Sequence, residues 1–253
     1  MDKRAVKIVL NVLYPVIVVA AVFAVWAIAA YAKGMEIILP SPARAFEELF
    51  VLVKTSYFWR SLGGTFLRSI YCFAISFLIG LIFALLSYFF ETADRLIKPF
   101  MSIVRAVPTM AIIYILVIWF SREIAPAVIA VIVICPTLYS VFLSAFGAVD
   151  KKLYEMSKVY GVSRKSIVFG LYIPNMAPAL FEGSASGFSL NVKLVIAAEA
   201  LASTPDSLGL IMKGSNANLL TARLFAVTIA AVLLSVISEW LIRLIGKAVI
   251  RWK

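Results

Sequence analysis

Four polar side chains, Ser189, Asn191, Lys193 and Glu199, stand inside one apolar run of this chain. A charge at the centre of a bilayer costs about 2.5 to 3.5 kcal/mol on the insertion scale, so charges at such depth mark solute pathways or structural pairs. Lys193, with Ser189 and Asn191 nearby, suits the lining of a path for a polar solute. Glu199 falls on a different face of an ideal helix from Lys193, so its partner is expected on another span. Its place near the end of the run suits a structural bond or a gate contact. Glu239 and Arg243 are spaced for an i, i+4 ion pair, and Glu182 lies close enough to a membrane surface to snorkel or to make a local bond.

None of these groups is arranged to make or break bonds. The chain has no histidine, and its carboxylates are scattered, so a membrane-embedded enzyme lacks its acid-base or metal constellation. Cys72 and Cys135 lie in apolar runs without metal-type spacing and read as small buried hydrophobes. No G-x-x-x-x-G-K-[ST] phosphate loop occurs. No catalytic residue, metal or cofactor is expected.

The elements that hold these residues must be membrane helices. Hydrophobic residues make up 63% of the 253 and charged ones only 15%, with a mean hydropathy of +1.02; soluble domains run nearer half apolar and a quarter charged. The apolar residues gather in runs of the ~20 needed to cross a bilayer. Short alternating strands are absent, so a barrel is excluded and the fold class is all-α, a polytopic membrane protein with six transmembrane helices. The spans are expected near Ile8–Tyr31, Gly64–Phe90, Phe100–Phe120, Ile124–Ala148, Asn175–Leu201 and Thr221–Gly246. The first is too long for the core of a cleaved signal peptide, although Ala30-Tyr31-Ala32 could pass for a cleavage site. Pro108, Pro126 and Pro136 are expected to kink or start helices, and Arg105 to snorkel.

The net charge of +11 flanks the spans and forms no aromatic-interleaved patch, which argues against nucleic acid. With both termini inside, the cytoplasmic side receives Lys3, Arg4, Lys7, Arg95, Lys98, Lys151, Lys152, Lys158, Arg164, Lys165, Arg243, Lys247, Arg251 and Lys253. The outer side receives Lys33, Arg44, Lys54, Arg60, Arg68, Arg122, Lys213 and Arg223. The positive-inside bias supports that orientation. The chain then divides into an N-terminal helix and outer segment over 1–63, a core over 64–248 and a tail over 249–253.

Two segments lie outside the spans. From Met35 to Ser61, Phe46, Leu49, Phe50 and Val53 recur at helical spacing, which predicts an interfacial helix. In the cytoplasmic loop over 149–174, Asp150 can cap a short helix whose Leu153, Met156 and Tyr160 form one apolar stripe. Gly161 suits a left-handed turn, and Ser163 can cap a further turn through Ile167 and Phe169. Such a basic amphipathic loop could simply rest on anionic headgroups.

Glu155-Met156-Ser157-Lys158-Val159-Tyr160-Gly161, followed by Ile173-Pro174 and Pro178, resembles the EAA loop of ABC importer permeases, with Met156 and Ser157 in place of its two alanines. Leu39-Pro40-Ser41-Pro42, the stretch from Ser61 to Gly80, Arg105-Ala106-Val107-Pro108, Trp119-Phe120, Ala198-Glu199 and Ser207-Leu208-Gly209 are similar to permeases of the nitrate, sulfonate, taurine and thiamine-precursor group. Ser121 stands where that group has glycine. The resemblance implies a bacterial cytoplasmic-membrane subunit, paired with a second copy of itself. Its further partners would be two ATP-binding subunits and an extracytoplasmic substrate-binding protein. Leu153, Glu155, Met156, Ser157, Tyr160 and Gly161 would couple it to the ATPase, and a small organic anion or a thiamine precursor would be its substrate. An ion-gradient-driven secondary transporter is the alternative, but no inverted repeat is visible.

Overall fold

The computed structural model describes residues 3–250. Of the orientation charges, Arg251 and Lys253 lie outside the described residues, as do the side chains of Lys3, Arg4, Lys7, Lys151 and Arg164.

The described residues are helical with short connections. Helix α1 (Lys3–Lys33) stands beside the rest of the chain. It is held toward its C-terminal end, where Trp26 Nε1 donates to the Pro40 carbonyl at 3.0 Å and its ring stacks on Phe225. Helix α2 (Pro42–Val53) is the helix expected from the apolar spacing of this segment. Ser41 caps it by accepting from the Arg44 amide, and Pro42 opens its first turn, where a missing N–H costs nothing.

Helix α3 (Ser56–Phe89) is the first long span of the core. From Ser61 onward its buried positions, Ser61, Thr65, Ser69, Cys72, Ser76, Gly80, Ala84 and Ser87, follow each other at intervals of three and four. They form a stripe of small side chains. In lipid, helices associate by close packing, and small residues let backbones approach. Ser69 and Ser76 donate to the carbonyls of Thr65 and Cys72, so their hydroxyls are satisfied within the helix.

The third span is not the single helix expected over Phe100–Phe120. Helix α4 (Glu91–Ala106) and helix α5 (Thr109–Trp119) meet at an angle of 91°. Proline disfavours the helical conformation at the residue before it, and Val107 is extended at ψ 129°. Helix α4 is amphipathic, with Glu91, Asp94, Arg95 and Lys98 on its polar side and Met101 buried. Helix α5 has 11 residues. It covers about 16 Å, roughly half of a 30 Å hydrocarbon core.

Helix α6 (Ala125–Gly147), α9 (Ile173–Ala202) and α11 (Thr221–Val249) are the remaining spans. Between α6 and α9 lie α7 (Lys151–Val159), the short α8 (Arg164–Ile167) and a π-helical turn over Val168–Tyr172. Helix α10 (Leu208–Ala217) covers the C-terminal end of α9. The core forms where α3, α6, α9 and α11 pack. Phe77 meets Phe142 edge-on at 4.9 Å and Phe73 meets Phe188 at 5.2 Å.

Candidate functional site: the loop at one end and the exposed face of α9

The loop over 149–174 folds as its spacing predicts. The Asp150 side chain accepts from the Lys152 amide at 2.8 Å and starts α7. At the other end the Gly161 amide donates to the Lys158 carbonyl and the Val162 amide to the Ser157 carbonyl, both at 3.0 Å. That pair of bonds is the Schellman ending, which needs one residue at positive φ. Gly161 supplies it at φ +66°, with open space where a side chain would go. Ser163 then caps α8 by accepting from the Ser166 amide.

Helix α7 presents two faces. Tyr154 turns toward the spans, its ring 6.1 Å from that of Tyr172, whose hydroxyl bonds that of Tyr88 on α3. Lys158 lies 4.8 Å over the Tyr154 ring. These groups wall a groove of about 940 Å³ together with Leu81, Phe89 and Met176. The other face is exposed: Leu153, Met156 and Tyr160 are 41%, 50% and 79% accessible, Val159 extends the patch at 85%, and Glu155 stands beside it. Ser157 is only partly exposed and spends its hydroxyl on the Leu153 carbonyl. Tyr154 is the residue that loop spacing alone missed. Its signal was an aromatic on the side of α7 opposite the apolar stripe.

The four polar residues of α9 do not share a surface. Asn191 and Glu199 have no accessible area and Ser189 only 8%. The Asn191 amide donates to the Ser69 carbonyl on α3 at 2.9 Å. Glu199 is paired on another span, as the spacing predicts: it accepts from the Arg68 guanidinium, from Thr65 Oγ1 at 2.8 Å and from the Gly209 amide at 3.4 Å. Thr65 Oγ1 in turn accepts from the Leu208 amide at 2.9 Å. Small buried groups on α3 leave room for this clasp, and Gly209 lets α10 approach α9. Lys193 alone of the four is exposed. Among the described residues no carboxylate lies within ion-pair reach of it.

Its neighbours along α9 were legible as a period. Asn175, Ala179, Glu182, Ser186, Leu190, Lys193 and Ala197 are the exposed residues from Asn175 onward, and they succeed each other at intervals of three and four. A helix face turned to lipid is apolar. This one carries an amide, a carboxylate, a hydroxyl and an ammonium group, so it faces water or protein. Glu182 pairs with Arg243 on α11, and Arg243 also binds Glu239 at 2.9 Å. The Ala179 end of the stripe adjoins Ser140, Val141 and Ser144 of α6 in a shallow depression of about 420 Å³.

Comparison with known proteins places these features in a family. The family model described as binding-protein-dependent transport system inner membrane component matches residues 76–251. A probable ABC transporter permease of Haemophilus influenzae is 24% identical over 228 residues, 89% of this chain and 92% of that protein. The putative aliphatic sulfonates transport permease of Escherichia coli K12 is 23% identical, over 91% of this chain and 88% of its own length. Among solved structures, the inward-facing MetNI methionine ABC transporter superposes with a TM-score of 0.61 at 20% identity, covering 77% of this chain and 95% of that one.

Proposed function

This chain belongs to the family of binding-protein-dependent transport system inner membrane components, and on that premise we propose that its loop over 149–174 receives the stroke of the ATPase while α6 and α9 line the path. The chain is a multi-pass membrane permease of an ABC importer, a transport component and not an enzyme. Family membership implies an ATP-binding subunit and a substrate-binding protein as partners, and it sets aside an ion-gradient mechanism.

The observation that carries the coupling reading is the two-faced α7. One side is fastened to the spans through Tyr154 and Tyr172, and the other offers Leu153, Met156, Val159 and Tyr160 to a partner. A short helix seated in a groove of a moving subunit transmits displacement without covalent chemistry. Glu155 supplies the acidic contact and Gly161 sets the angle between α7 and α8. Both termini are cytoplasmic in this reading, and a second copy of the chain completes the path. The polar stripe of α9, with Lys193 at its centre, lines that path, and Ser186 replaces the buried Ser189, Asn191 and Glu199 as its companion. A small organic anion of the sulfonate kind is the substrate class this cation suits.

The test is co-purification of the ATP-binding subunit, with uptake into proteoliposomes. Glu155→Lys and Gly161→Val are expected to reach the membrane in normal amounts, because neither residue lies in a span, and to lose the ATPase or substrate-stimulated hydrolysis. A β-branched residue is disfavoured at the left-handed turn that Gly161 occupies. If both variants keep the ATPase and transport at the wild-type rate, the loop rests on headgroups instead and the coupling reading is wrong.

A further inference from the structure

Arg105 does not snorkel. It ends α4, just before the elbow at Val107 and Pro108, and its Nη2 donates to the Pro136 carbonyl of α6 at 2.7 Å and to Ser140 Oγ. Pro136 lies about halfway along α6, roughly 16 Å from its outer end, so the guanidinium is held near the middle of a 30 Å core. Lys193 lies about one helical turn further along: Gly187 on α9 meets Leu138 on α6, which sets Lys193 roughly 6 Å beyond Pro136 in the direction of the C-terminal end of α9.

Both groups are exposed and neither has a carboxylate within ion-pair reach among the described residues. A guanidinium carries five N–H donors. Both of these bonds use Nη2, so the hydrogens on Nε and Nη1 find no acceptor among the described residues. Ser140, to which Arg105 is tied, borders the same depression as Ala179, on the exposed stripe that leads through Ser186 to Lys193. The elbow, α6 and α9 thus bring two unneutralised cations into the interior of the membrane, roughly one helical turn apart in depth. Against lipid each would be costly. Facing a water-filled path they act as the cationic rings of anion pores do, stabilising a passing anion and repelling a cation.

We propose that Arg105 and Lys193 together form a charge filter within the permease, which selects small anions bearing a sulfonate or similar group independently of the binding protein. The inference rests on the reading that the exposed face of α6 and α9 lines the path. Arg105 is a specificity-determining residue on this account, and the 91° break between α4 and α5 is what places it at mid-depth.

The experiment uses thiol reagents of opposite charge on the assembled importer. Cys72 and Cys135 are replaced by alanine, and Ser186→Cys is introduced on the path face, two turns of helix from Lys193. The probes are the sulfonatoethyl and trimethylammonioethyl methanethiosulfonates, the first of which is itself an aliphatic sulfonate. Both are expected to modify the cysteine, the anionic one faster. Arg105→Gln and Lys193→Met are each expected to lower the anion-to-cation rate ratio by about tenfold, the effect of one unit charge at roughly 10 Å in a medium of intermediate polarity. Arg105→Lys is expected to keep most of it. If both reagents react but the ratio is the same in all variants, the filter is overturned and the path reading stands. If Ser186→Cys resists both reagents in every state of the importer, the path reading itself fails and the filter with it. Should Arg105→Gln not reach the membrane, Lys193→Met reads the same quantity.

Discussion

Arg68 on α3 and Glu199 on α9 form an ion pair whose carboxylate has no solvent exposure and whose guanidinium side chain has 13%. With Thr65 and the Gly209 amide it ties α3, α9 and α10 together at the C-terminal end of α9. Breaking such a pair strands a charge, whereas replacing both members by apolar groups is often tolerated. Glu199→Ala is therefore expected to destabilise the permease by about 3 to 5 kcal/mol, and Arg68→Met with Glu199→Leu to recover most of that loss. Thermal unfolding of the purified importer measures both. Equal loss in the single and double variants would contradict the pairing.

Gly209 is expected to accept no side chain. A Cβ there would lie 2.5 Å from the Ala200 amide nitrogen, the Glu199 Cβ and the Ile196 carbonyl, all of which belong to α9 and cannot swing away. Gly209→Val should cost about 1 to 3 kcal/mol as overpacking, with accessibility at the neighbouring Asp206 rising as α10 lifts. Unchanged melting would show that α10 can move without loss.

Orientation is checked by labelling. Lys158 on α7 is exposed, Asp206 between α9 and α10 is partly exposed, and the two sit at opposite ends of α9. Cysteines introduced there one at a time, in a background free of Cys72 and Cys135, are expected to react with impermeant reagents from opposite sides of the membrane. Reaction from the same side would rule out the topology.

Lys193→Met is expected to reduce uptake at least tenfold while the complex assembles and its basal ATP hydrolysis continues, because the side chain makes no ion pair among the described residues. A variant that fails to assemble would give Lys193 a structural role instead.

The sequence made some of this architecture legible because the signals were local. The Asp150 cap, the Gly161 turn, the Ser163 cap and the amphipathic period of α2 each depend on residues within one or two helical turns. The clasp depends on residues more than a hundred positions apart, and charge counting alone placed Arg68 with the outer loops and gave it no partner. The broken third span was missed for a different reason. Hydropathy averages across Pro108, whereas the deciding facts were the polar residues of α4 and the restriction that Pro108 puts on Val107. Polarity read without period did not separate the exposed residues of α9 from the buried Ser189, Asn191 and Glu199; the three-and-four spacing of Glu182, Ser186 and Lys193 does.

Helix α9 and the turns leading into it run without a loop from Lys165 to Ala202, 38 residues in all, a rod of about 57 Å. Its weak points, the π turn over Val168–Tyr172 and Pro178, are gathered at the inner end, and the stretch from Ala179 outward is uninterrupted. The inner end joins the loop and the outer end carries Glu199. On the coupling reading proposed above, a push delivered to the loop swings the far end of a stiff lever whose compliance lies beside the hand that moves it, and the two mouths of the path are then expected to move together.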